Sequence, residues 1–174
     1  TFSPAGGAYN AAQNVTISAA GADAIYYAIG ETPTIDEEHK YTAPIAINTT
    51  GSHTINAIAV KAGYANSSVA SATYVMDLPY ANIAAFIAGE PTTAKSLTLN
   101  NAIITGVDGT TLYIQDETAG IMIYGLASLP ENAAPNHSIS GTIVGKYSLY
   151  RHQHELVKPN NTTPIDITNV TISA

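Results

Sequence analysis

Between Leu112 and Gly125 the chain reads LYIQDETAGIMIYG, two short alternating stretches on either side of an Asp-Glu-Thr-Ala-Gly connection, a pattern that folds as a β-hairpin. Leu112 and Ile114 fall on one face of the first stretch, Tyr113 and Gln115 on the other. After Gly120 the run Ile121 to Tyr124 is apolar on both faces, which predicts that it is covered on both. Asp116 is expected to accept hydrogen bonds from turn amides and Gly120 to take a positive φ. The same period-two pattern recurs along nearly the whole chain, so the sequence predicts an all-β protein.

Its 174 residues allow one large or two small domains, and 45% hydrophobic residues are enough to build real cores. Charged residues make up only 11%, against roughly 25% in ordinary soluble domains, and Thr, Ser, Asn, Ala and Gly take their place. That composition suits extracellular β-modules. A formal charge of -7 with six Lys and Arg disfavours binding to phosphate backbones, where affinity comes from many basic contacts. Without Cys there is no disulfide, no thiolate nucleophile and no cysteine-ligated metal. No run approaches the ~18 apolar residues of a membrane span. No basic-then-apolar leader opens the chain, and Thr1 starts inside a structured pattern, so the chain is expected to be a fragment or a processed form.

From Phe2 to Met76 short strands are separated by Gly-Gly at 6 and 7, Pro33, Pro44, Gly51 and Gly63. Val15 and Ile17 mark one strand, Ile25 to Tyr27 the next, then Ile45 and Ile47, Ile55 to Val60, and Val69 to Val75. The blocks FSPAGGAY, AIYYAIG with PT following, YTAPIAI, INAIAVKAGY and SSVASATY resemble, in order and with suitable gaps, the small immunoglobulin-like domain named for the C-terminus of chitobiase and β-hexosaminidase. That resemblance implies a β-sandwich and a non-catalytic accessory domain of bacterial secreted and surface proteins. It also places Tyr26, Tyr41, Tyr64 and Tyr74 at core or corner positions. The family carries an Asp-Gly pair after its Tyr-Tyr strand where this chain has Ile29-Gly30-Glu31, so a binding role tied to that Asp does not carry over.

Pro79 breaks the pattern, giving an immunoglobulin-like domain over 1–77, a linker over 78–81 and a second domain over 82–174. Asn82 reads as an N-cap for one short helix with Ile83, Phe86 and Ile87 on one face, stopped by Gly89 before Pro91. Strands follow at Leu97 to Val107, Leu112 to Gln115, Ile121 to Tyr124, Ser138 to Tyr147, about His154 to Lys158, and Ile165 to Val170. Asp108-Gly109 signals a turn. Parity slips at Asn100-Asn101, which predicts a bulge. Strand succession, glycine placement and the phrase LYIQDETAG resemble the OB-fold domains of bacterial surface proteins over about residues 82–160. The expected fold is thus an immunoglobulin-like β-sandwich followed by an OB-fold-like small β-barrel with one short helix.

Candidate chemistry concentrates in the second domain. Lys146, Tyr147, Tyr150, Arg151, His152, Gln153, His154, Glu155 and Lys158 form a cluster that an OB arrangement places at the loop before the fifth strand, one of the two loops beside the usual ligand face. The plainer reading of the same residues is a polar hairpin tip that keeps a sheet edge soluble. Tyr113, Tyr124, Tyr147 and Tyr150 are the tyrosines free to form a platform, and Lys146 and Arg151 complete the candidate ligand-binding set. His152 and His154 are the weak candidates for a metal, two ligands being fewer than either a structural or a catalytic zinc site uses. Asp116 and Glu117 are neighbours in a tight turn, whereas glycosidase carboxylates face each other across a substrate. Asp36, Glu37 and Glu38 lack calcium-loop spacing and read as a solvated loop. No Gly-rich phosphate loop, nucleophile elbow or His-Glu-x-x-His pattern occurs, so no enzyme and no cofactor is expected.

The sequence therefore predicts a non-catalytic accessory fragment of a larger exported bacterial protein, at the cell surface or outside it, that spaces domains and docks a glycan or another protein. Single-stranded nucleic-acid binding through Tyr113, Tyr124, Tyr147, Lys146 and Arg151 ranks second, metal-dependent hydrolysis third.

Overall fold

A computed structural model describes residues 1–174. Its contacts divide the chain into two compact units, Thr1–Leu78 and Pro79–Ala174. In the first, β1 (Phe2–Ser3), β2 (Gly7–Tyr9), β3 (Gln13–Ile17), β4 (Ala24–Ile29), β5 (Ile45–Ile47), β6 (Gly51–Val60) and β7 (Ala70–Met76) form two sheets, ordered β1-β3-β5 and β2-β7-β6-β4. The alternation of β3, β5 and β7 decides which residues face inward: Val15, Ile17, Ile45, Ile47, Tyr74 and Met76 are buried and their neighbours are exposed. The result is the expected sandwich.

Tyr74 is fully buried in that core, stacks on Tyr9 at 6.0 Å, and its hydroxyl donates to the Pro4 carbonyl at 2.8 Å. Burial pushes its phenol above the ordinary value, with the neighbouring Tyr9 adding to the shift. Tyr74→Phe leaves that carbonyl without its donor and is expected to lower stability by about 1 kcal/mol in denaturant unfolding. Tyr64, expected in the core or at a corner, is instead 71% exposed after the left-handed Gly63, with the Lys61 ammonium 5.2 Å from its ring centre.

The second unit holds α1 (Ile83–Gly89), β8 (Lys95–Asp108), β9 (Thr111–Gln115), β10 (Gly120–Ile123), β11 (Ser138–Tyr150), β12 (Gln153–Val157) and β13 (Asp166–Ser173). The sheet runs β12-β10-β9-β8-β11-β13, and β12 also pairs with β11, so five strands close a small barrel with β13 along its outside. The β10–β12 pairing is parallel, Met122 opposite Glu155, while the other pairings of the barrel are antiparallel. This is an OB-fold-like barrel, and its helix precedes the first strand. Closing it requires long strands to bend. In β8 the bend falls where parity predicts it: Asn100 and Asn101 together face Ser140, Asn101 has φ 52°, and its amide donates to the Ser140 hydroxyl at 2.8 Å.

The barrel interior is aliphatic, with Leu97, Ile104, Leu112, Ile123, Ile139, Ile143 and Leu156 all fully buried. Helix α1 adds Ile83 and Phe86 to this cluster. Asn82 caps it, accepting from the Ala85 amide at 2.8 Å. Gly89 does not supply the left-handed stop. Glu90 does, at φ 41°, and Gly89 is required because a Cβ there would meet the Tyr80 ring at 2.5 Å. Tyr80 itself packs edge-on against Phe86 at 5.4 Å and exchanges backbone hydrogen bonds with Ser96 and Thr98.

The hairpin turn reaches this helix. Asp116 accepts from the Thr118 amide at 2.7 Å, the Ala119 amide at 3.0 Å and the Thr118 hydroxyl, and its other oxygen accepts from the Ile83 amide at 2.8 Å. The Thr118 hydroxyl in turn accepts from the Ala84 amide at 3.1 Å. The turn therefore ties two orphan amides of α1 to the β9–β10 hairpin. Gly120 lies within β10 and is not among the residues with positive φ, because Gln115 pairs directly with it and the reversal is completed by Ala119. Of the run expected to be covered twice, Ile121, Met122 and Ile123 are buried, but Tyr124 is 56% exposed.

Candidate functional site

Barrel parity sorts the candidate residues onto two faces. Register places Tyr113 opposite Met122, Met122 opposite Glu155, and Glu155 opposite Ser148, a row across β9, β10, β12 and β11 on the outside of the barrel. The adjoining row, Leu112, Ile123, Leu156 and Tyr147, faces the core. Tyr147 thus stands apart from the other tyrosines. It packs against the barrel core, its amide donates to the Pro91 carbonyl at 2.8 Å, and its hydroxyl is hydrogen-bonded to His154 Nδ1 at 2.8 Å. Burial raises its phenol above the ordinary value, with Glu90 adding to the shift.

The hairpin β11–β12 turns through Arg151 and His152, both left-handed at φ 49° and 68°. Two residues of this kind give the reversal that matches strand twist, and they hold His152 out of the extended conformation that a paired-histidine reading requires. His154 is engaged by Tyr147, and no group of three or more His, Asp or Glu stands where it could hold a metal ion. The Arg151 guanidinium lies 5.3 Å from the centre of the Tyr150 ring.

On the outer face two hollows adjoin. One, of about 690 Å³, is lined by Thr111, Tyr124, Lys146, Glu155, Lys158 and Asn160 among others. The second, of about 450 Å³, is lined by Asp108, Thr111, Tyr113, Met122, Tyr124, Tyr150, Gln153 and Glu155. Thr111, Tyr124 and Glu155 belong to both, so together they form one cleft between the β8–β9 turn and the β11–β12 turn. Tyr113, Tyr124, Tyr150 and Lys146 from the candidate set meet there. Arg151 borders it through Tyr150, and Tyr147 lies on the other side of the sheet.

Glu155 belongs to the polar cluster that the sequence marks but not to its ligand-binding set, and the structure brings it into the cleft. It is only 6% exposed at the floor of the cleft, and burial pushes its carboxyl above the ordinary value, opposed by a hydrogen bond from Ser148. The signal available was parity: Glu155 alternates with His154 and Leu156, and only the pairing of β12 with β10 puts it under the tyrosines. Asp116 behaves differently. Burial favours its neutral form, but four hydrogen bonds from Ile83, Thr118 and Ala119 outweigh it and hold the carboxyl below the usual range, as a structural acceptor and not a general acid.

In the first unit the acidic run is a self-contained loop. Asp36 accepts from the Thr34 hydroxyl, from the His39 ring at 2.8 Å and from the His39 amide at 3.0 Å, and these bonds hold its carboxyl far below the usual range. The same Asp36 contact raises the His39 imidazole, against the burial that would lower it. His39 is therefore expected to titrate above the ordinary value near 6.5 by NMR, and Asp36→Asn to return it there. Because the folded value is raised, this pair favours the fold below the unfolded value and loses that contribution as pH rises through the folded one.

The two sheets of the sandwich, its strand order and its buried tyrosine are the frame on which the first unit's identity rests. Residues 4–71 match the chitobiase/beta-hexosaminidase C-terminal domain. The match covers the body of the first unit and none of the barrel. That domain is a non-catalytic immunoglobulin-like module, and the likeness speaks for the first unit alone. Comparison with curated proteins and with solved structures gives no match.

Proposed function

We propose that this chain is an accessory fragment of a larger exported bacterial protein, in which the chitobiase-type domain acts as a spacer and the barrel docks a glycan on its outer face. The observation that carries this is the convergence of Tyr113, Tyr124 and Tyr150 on one open cleft, Tyr124 and Tyr150 each 56% exposed, with Thr111, Gln153 and Asn160 between and beside them. Flat, rigid aromatic rings offer stacking faces to sugar rings at little entropic cost, and neutral polar groups beside them satisfy hydroxyls. Exposed aromatics gathered on one face of a barrel, with no packing role in either core, call for a ligand. Phosphate backbones fit poorly. Lys146 and Lys158 line the cleft, but Asp108 and Glu155 line it as well, and a chain with a formal charge of -7 offers a polyanion no extended basic track.

A glycan array with the full chain is expected to give hits that Tyr124→Ala and Tyr150→Ala each weaken by about tenfold, the loss of one stacking face, without changing the unfolding midpoint. Binding that falls steeply with salt and extends to single-stranded oligonucleotides would replace the glycan reading by the nucleic-acid one.

A further inference from the structure

We propose that the outer edge of β13 is a pairing edge for a second copy of this chain, joined antiparallel about a two-fold axis through Val170. The proposal is independent of what the cleft binds.

An open strand edge is a template for another strand, and proteins blunt such edges by shortness, by Lys or Pro, or by covering them. The first unit does so throughout. β1, β2 and β5 have two or three residues each, and β4 is covered by the segment after the acidic loop, where the Tyr27 amide donates to the His39 carbonyl and the Tyr41 amide to the Ile25 carbonyl, both at 2.8 Å. Closure removes the edges of the barrel itself. β13 is the exception: eight residues, Asp166–Ser173, paired with β11 on one side and with no strand on the other, and containing no Lys, Arg or Pro.

The sequence of the strand points to its own copy as the partner. Ile167-Thr168-Asn169-Val170-Thr171-Ile172 reads nearly the same in both directions, and antiparallel copies meet head to tail. β13 also carries an extra residue. Thr142 of β11 faces Asn169 and Val144 faces Asp166, so three steps on β13 answer two on β11. Asp166 braces this bulge, accepting from the Thr168 amide at 2.9 Å and from the Thr168 hydroxyl at 2.7 Å. The bulge leaves Thr168 and Asn169 both exposed, while Ile167, Val170 and Ile172 are half-buried against the barrel core.

With Val170 on the axis, that arrangement meets itself. Val170 faces Val170 of the second copy, Thr168 and Asn169 together face its Thr171, and Ile167 faces its Ile172, so apolar meets apolar and polar meets polar. Asp166, the one charge of the strand, faces Ser173, and no like charges are opposed. Each contact occurs twice, as an isologous interface requires. The half-buried apolar row of one copy continues into that of the other. A bulge that would spoil the edge for a regular strand thus fits its own two-fold mate.

The test is sedimentation equilibrium of the chain of residues 1–174 at rising concentration. Wild type is expected to pass from the monomer mass to twice that mass. Asn169→Lys with Thr171→Lys, both at exposed positions, sets ammonium groups opposite each other and is expected to leave monomer alone, whereas Asn169→Lys with Thr171→Glu is expected to keep the dimer. A cysteine reads the register, because the chain has none of its own. Val170→Cys puts two thiols at directly opposed positions, about 4.5–5.5 Å between Cα atoms and within disulfide reach, so mild oxidation is expected to convert most of the chain to a covalent dimer. Thr171→Cys, whose copies lie diagonally at about 7–8 Å, is expected to stay uncrosslinked. Wild type that remains monomeric up to about 1 mM would overturn the proposal, and so would a dimer that survives the two lysines. Equal crosslinking at both cysteine positions would overturn the axis through Val170. The wild-type measurement needs no variant, so a misfolded substitution would not rescue the proposal.

Discussion

Gly141→Ala is expected to destabilise the barrel by more than about 3 kcal/mol, through a forbidden backbone angle and a steric collision together. Gly141 has φ 123°, a conformation side chains with a Cβ rarely adopt, and it sits in β11 where β8 pairs on one side and β13 on the other. A Cβ there would lie 2.0 Å from the Asn169 carbonyl oxygen and 2.9 Å from the Val170 Cα, both backbone atoms of β13 that no rotamer change can move. The variant must either unfold or release β13. Hydrogen exchange distinguishes these outcomes: release strips protection from the β13 amides alone, unfolding strips it from the barrel. Wild-type protection and an unchanged unfolding midpoint would contradict the assigned β11–β13 register.

Asp116→Ala is expected to cost the barrel about 2–4 kcal/mol, since it removes a charged acceptor from three amides and a hydroxyl and unties α1 from the hairpin. Asp116→Asn should retain part of this, because one amide oxygen still accepts. The pH dependence follows from the depressed carboxyl. Stability from Asp116 is fully present above its unfolded value, about 3.9, and is lost as pH falls through the lower folded value. Acid unfolding of wild type should therefore show a steeper loss below about pH 4 than that of Asp116→Asn. Parallel acid limbs for the two proteins would remove the carboxylate from its assigned place.

The hairpin at Leu112 to Gly125 shows why some of this was legible in sequence and some was not. Alternation in β9 is a local property, so the inward Leu112 and Ile114 and the outward Tyr113 could be read directly, as could the parity slip at Asn100-Asn101. Asp116 was recognisable as a turn acceptor, but its bond to the Ile83 amide joins residues thirty-three positions apart and has no local signal. The cleft is non-local in the same way. Tyr113, Glu155 and Tyr150 become neighbours only when β12 pairs in parallel with β10 and closes the barrel, and that pairing decides that Tyr147 turns inward while Tyr150, three residues on, turns outward. A tyrosine's identity says that it can stack; the parity of a long, bent strand says whether it is free to.

The most direct test of the account is where a bound glycan touches the chain. With the strongest array hit added to the isotope-labelled chain of residues 1–174, amide shift perturbations are predicted to centre on Thr111, Tyr113, Met122, Tyr124, Gln153 and Glu155, and to leave Val15, Ile55 and Tyr74 of the first unit unmoved. Perturbations confined to residues 1–78, or centred on Tyr147 and Pro91 on the inner side of the sheet, would contradict it.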